Sequence, residues 1–152
     1  MKLKHYYVNL IDLPEVLPFS LTEEEIENKT DAQEESGKEV FNFVEALEGF
    51  DTIHYIGQDN VEGKFYQRFL FNGGGFLELM QKAPSAIVAH FSRKERAQEF
   101  AEELRKVIKE KCGEEKEVEL LASDVEVNKE EEGSLSYEKW SKLNNVRSSI
   151  TG

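Results

Sequence analysis

The chain has 152 residues, enough for one main domain with a substantial core, and Cys112 is its only cysteine, which excludes an internal disulfide. Asp and Glu number 31 against 19 Lys and Arg, a formal charge of −12 that opposes nucleic-acid backbones and anionic membrane surfaces. No apolar run is long enough to cross a bilayer and no secretory pattern follows Met1, so a cytoplasmic protein is expected.

The opening stretch from Leu3 to Leu13 is rich in Tyr, Val, Leu and Ile without helical spacing, and it predicts a strand ending before Pro14. Ser20 followed by Glu23 reads as a capping box for a short helix over Leu21 to Asn28. Residues Lys29 to Gly37 are polar and aperiodic, which predicts a mobile surface loop. Val40, Phe41, Val44 and Leu47 then fall on one helical stripe that stops at Gly49.

Thr52 to Gly57 and Lys64 to Phe71 are aromatic and β-branched runs separated by turn residues, the pattern of a hairpin. Gly73-Gly74-Gly75 lacks the lysine and hydroxyl of a phosphate loop and reads as a flexible turn. Phe76 to Lys82 suits either a helical turn or a strand, and Ser85 to Phe91 suits a buried strand. A second box, Ser92 to Glu95, precedes a helix marked by Ala97, Phe100, Ala101, Leu104, Val107 and Ile108 and closed by Gly113. Two short alternating runs around Val118 and Val125 follow, with a bulge or turn near Ser123.

These elements predict an α+β domain over residues 1–128, a ferredoxin-like sandwich with two long helices on one face of a mainly antiparallel sheet and a helical insertion. Residues 129–152 form a charged linker and a C-terminal helix whose stripe of Tyr137, Trp140 and Leu143 is a candidate docking element.

Strand parity supplies the candidate site. Side chains two apart share a face, so His5, Tyr7 and Asn9, His54, Arg68, and His90 all fall on the helix-free face. Imidazoles and a guanidinium there suit acid–base chemistry, anion binding or a partner surface, against the plainer reading of polar strand residues facing solvent. No His pair has zinc-motif spacing, and no metal or cofactor is expected. Cys112 sits near a helix C-terminus, where a thiolate is disfavoured, and reads as a bystander.

With no nucleophile–base pair or ligand cluster in the sequence, the leading expectation is a non-enzymatic acidic binding or regulatory module that contacts a protein partner or a second copy. The alternative is a homodimeric small-molecule enzyme or ligand-binding protein with its pocket on the open sheet face. A lesser one, from the acidic clusters, is an inhibitor that mimics nucleic-acid charge.

Overall fold

The computed structural model describes residues 2–12, 15–28 and 31–126. The strands are β1 (Lys2–Ile11), β2 (Ile53–Asp59), β3 (Tyr66–Phe71), β4 (Phe76–Met80), β5 (Ala86–Phe91) and β6 (Glu119–Glu126). The helices are α1 (Glu23–Asn28), α2 (Asp31–Leu47) and α3 (Lys94–Cys112). The six strands form one open sheet in the order β2-β3-β4-β5-β1-β6, and every neighbouring pair is antiparallel.

Alternation along the strands separates two faces. Val8 and Leu10 of β1, Phe69 and Phe71 of β3, Leu77 and Leu79 of β4, and Ile87, Ala89 and Phe91 of β5 belong to one buried cluster. The same cluster takes in Val40, Phe43, Val44 and Leu47 of α2 and Phe100, Leu104 and Ile108 of α3, so both long helices bury an apolar stripe there, whereas Phe41, expected on the α2 stripe, is exposed and Phe43 takes its place. Aromatic edges tighten it, with Phe50, Phe71 and Phe91 each 5.3–5.6 Å from the Phe100 ring.

The stretch from Phe76, open in sequence between a helical turn and a strand, is a strand over Phe76 to Met80 that alternates buried residues on both faces and widens the sheet to six strands. Residues 31–37 are not a loop but the first two turns of α2. Ala32, Gln33, Glu34 and Glu35 are good helix formers, and the one polar residue on the inner stripe, Ser36, donates its hydroxyl to the Phe19 carbonyl.

Both capping boxes were misplaced. At α1 the reciprocal pair is Thr22 with Glu25: the Thr22 N–H donates to Glu25 Oε1 at 2.9 Å and the Glu25 N–H donates to Thr22 Oγ1 at 3.2 Å. At α3 the N-cap is Arg93, without a side-chain cap bond. Strand β6 runs past Ser123 without a break, because Ser123 pairs directly with His5. The charged linker from Lys129 and the expected C-terminal helix carrying Tyr137, Trp140 and Leu143 lie outside the described residues.

Candidate functional site

On the helix-free face one side chain from each of the six strands joins a single hydrogen-bonded row, in the order in which the strands lie. Ser123 Oγ of β6 lies 3.5 Å from His5 Nδ1 of β1, and His5 Nε2 lies 2.9 Å from His90 Nδ1 of β5. His90 Nε2 is 3.1 Å from Glu78 Oε1 of β4. Arg68 of β3 then donates from Nε to Glu78 Oε2 at 3.2 Å and from a terminal nitrogen to Asp59 Oδ2 of β2 at 2.6 Å.

The register explains how residues so distant in sequence meet. His5 faces Ser123 and Arg68 faces Glu78 as direct cross-strand pairs, while His5 to His90 and His90 to Glu78 are diagonal neighbours. Asp59 arrives by a different route. Ile53 and Tyr55 face the helices, so an unbroken β2 would send Asp59 there too, but a bulge between Tyr55 and Gly57 shifts the register by one residue. Gly57, at φ +136°, supplies the backbone this requires, and Asp59 turns onto the helix-free face to meet Arg68.

Each contact is satisfied when both imidazoles carry their proton on Nε2, an assignment that follows from the pattern of partners. Ser123 then donates to His5, His5 to His90, and His90 to Glu78, so all three bonds point toward the carboxylate. Burial pushes the Arg68 pKa down, but the Glu78 and Asp59 carboxylates more than offset it and raise it above its ordinary value. The row thus holds two carboxylates around one fixed cation, with Glu78 the buried centre and Asp59 half exposed at the sheet edge.

His5, Arg68 and His90 are therefore brought together. Tyr7 stacks beside them, its ring centroid 5.1 Å from His5 and 6.3 Å from His90. His54 stays apart on exposed β2, 3.4 Å from Asn72 Oδ1. Asn9 also stands outside the row. Its Oδ1 is buried without a hydrogen-bond partner among the described residues, beside a recess lined by Ile11, Lys116, Glu117 and Glu119.

Glu78, Asp59 and Ser123 were not foreseen. The signal for Glu78 was present, a single charge between Leu77 and Leu79 in an apolar run, but it becomes readable only once that run is known to be a strand.

A second buried ion pair closes the other side of the molecule. Lys116 Nζ lies 2.9 Å from Asp12 Oδ1, and the Val16 and Leu17 N–H groups also donate to this carboxylate. Burial alone would raise the Asp12 pKa, but Lys116 and these N–H groups outweigh it and lower it. Burial, reinforced by Asp12, pushes the Cys112 thiol up. Among the described residues no three His, Cys, Asp or Glu side chains are grouped to hold a metal ion, and no helix is long and apolar enough to cross a membrane. No protein-family model matches the chain, and no curated protein matches it significantly.

Proposed function

We propose that this protein is a non-enzymatic binding module that contacts a protein partner along its β2 edge. The observation that carries the reading is an exposed aromatic pair on that edge. Phe41 of α2 and Tyr55 of β2 are each 47% exposed, and their rings meet edge to face at 5.1 Å. Among the described residues β2 pairs with β3 alone, so its outer rim presents backbone donors and acceptors as well. Exposed acids, Glu34, Glu35 and Glu45 of α2 and Glu48 just beyond its end, lie on the same stretch of chain as Phe41. Apolar anchors beside one sign of charge suit a partner with an apolar site ringed by basic residues.

The helix-free face suits contact with a partner less well, since His5, Arg68 and His90 are buried there. The small-molecule reading required His5, His54 and Arg68 to line one pocket, and His54 stands apart from the other two. We also infer that the sheet is a widened ferredoxin-like sandwich. With the β3–β4 hairpin left out, the order reads β2-β5-β1-β6, with helices joining β1 to β2 and β5 to β6.

A photo-crosslinking residue at position 55, activated in native lysate, tests the reading. One discrete protein adduct, lost on Phe41→Glu, is the expected result. Recovery of monomer or self-crosslinked homodimer alone overturns it.

A further inference from the structure

The outer rim of β2 has a definite hydrogen-bonding parity. The Asn72 N–H donates to the Thr52 carbonyl at 2.9 Å, so Thr52 turns its backbone toward β3. Direction alternates along an antiparallel ladder, so His54 also turns inward to Leu70, while Ile53 and Tyr55, opposite Phe71 and Phe69, turn their N–H and C=O groups outward. The β3 side agrees. The Phe71 N–H donates to the Gly75 carbonyl and the Phe65 carbonyl accepts from Gln81, so odd residues of β3 face β4 and its even residues face β2. Among the described residues no strand pairs with the outward groups of Ile53 and Tyr55, and β2 carries neither Lys nor Pro, residues that commonly guard an edge. The bulge after Tyr55 breaks the row, which leaves Ile53 and Tyr55 as its regular part.

We propose that the occupant of this edge is an extended segment of another protein, added antiparallel to β2 as a further strand, with an apolar residue opposite Tyr55 and a Lys or Arg two positions to either side. The inference rests on the partner contact proposed above and gives that contact its geometry. Ile53 and Tyr55 each offer one donor and one acceptor, and an antiparallel strand satisfies both groups of each with the single residue opposite it. Every neighbouring pair in the sheet is already antiparallel, so the addition continues the existing ladder.

Tyr55 is an anchor fixed in advance. Its hydroxyl donates to Gln67 Oε1 at 2.8 Å and its ring lies 5.1 Å from Phe41 and 5.3 Å from Phe69, so an apolar side chain opposite it meets rings that are already held. The charge comes from α2. Glu34 and Glu45 stand seven residues before and four after Phe41, spacings that share its helical face, and both are exposed. Lys38 shares that face but is paired with Glu35 at 3.5 Å. Residues two apart on a strand point to one side, so a basic residue two positions from the apolar one points toward α2 and its acids. A second copy suits the edge less well, since pairing β2 with β2 would bring two chains of charge −12 together along their acidic helices.

The probe is the acetylated and amidated peptide Thr-Lys-Thr-Val-Thr-Lys-Thr, added to the intact isotope-labelled protein. At saturation the Ile53 and Tyr55 amides should exchange with solvent about tenfold more slowly or better, while the His54 amide, already bonded to β3, changes little. In this register the Val and Lys N–H groups face β2 and the Thr N–H groups face away. N-methylation of the Val should therefore weaken binding about tenfold or more, and N-methylation of the Thr beside it by less than about twofold. Glu45→Lys, at an exposed helix position, should weaken it several-fold. Equal loss from the two methylations, binding without protection of the Ile53 and Tyr55 amides, or no binding at millimolar peptide overturns the proposal. So does protection that rises with protein concentration in the absence of peptide, which assigns the edge to a second copy. The position-55 crosslink judges the partner and the methylation pattern judges the geometry. A discrete adduct without that pattern removes strand addition alone, whereas the absence of any adduct removes the partner contact on which it rests.

Discussion

At the scale of single residues, the Arg68–Glu78 pair is an arrangement that is costly to break. Both side chains are almost fully buried, so removing the Glu78 charge leaves the buried Arg68 guanidinium to the half-exposed Asp59 carboxylate at the sheet edge. Glu78→Gln should destabilise the protein by about 3–5 kcal/mol, read from urea unfolding at neutral pH. Asp59→Asn, at the half-exposed end of the same row, should cost no more than about 1 kcal/mol, because solvent screens that contact. Asp12 gives a separate test. Its pKa in the folded state lies below its ordinary value of 3.8, so the stability it contributes is present above that value and is lost as the pH falls through the lower one. Unfolding free energy should therefore fall as the pH drops below about 5 in the native protein, and Asp12→Asn should be less stable at pH 7 but flatter over that acid range.

At the scale of elements, two backbone devices set the sheet. The β3–β4 turn is held by Asp51, which accepts from the Gly73 N–H at 2.7 Å and from Arg96 at 2.8 Å, while Arg96 also donates to the Gly74 carbonyl at 2.9 Å. Gly75 has φ +120°, and a Cβ there would lie 2.8 Å from the Phe91 ring, whereas one at Gly74 would meet nothing within 4 Å. Gly75→Ala should cost more than Gly74→Ala by about 1–3 kcal/mol, since Gly74 at φ +102° shares the backbone strain and only Gly75 adds a core clash. Thermal unfolding of the two variants side by side checks this. The β2 bulge is the second device. Deleting Ile56 should remove the bulge yet keep Gly57 opposite Arg68 and Asp59 on the helix-free face, an outcome visible as an Asp59→Asn effect that persists in the deletion variant.

For the whole molecule, charge and exposed apolar area decide how it meets others. Phe41 and Tyr55 are half exposed but pack on Phe69, so replacing both with Ser should cost about 1–3 kcal/mol and leave the protein folded, while abolishing direct binding to the partner that the position-55 crosslink identifies. A chain of charge −12 that binds through an acidic flank should also associate more slowly as salt rises, with a smaller effect on dissociation, which stopped-flow mixing against that partner would show.

Sequence alone determined the elements whose signal is local. The stripe of α3, the β2–β3 hairpin and the parity that sends His5, Arg68 and His90 to one face follow from periods of 3.6 and 2, which any single segment carries in full. It also fixed the charge. Tertiary structure decided the rest, because the deciding interactions are long-range. Ser36 ties the first turns of α2 to the Phe19 carbonyl, Leu77 and Leu79 become a strand once β3 and β5 flank them, and Asp59 reaches Arg68 only through a one-residue register shift. Strand order then turned two histidines, a glutamate and an arginine into one row while leaving His54 outside it, since adjacency in a sheet depends on which strands pair, and that is a property of no single segment.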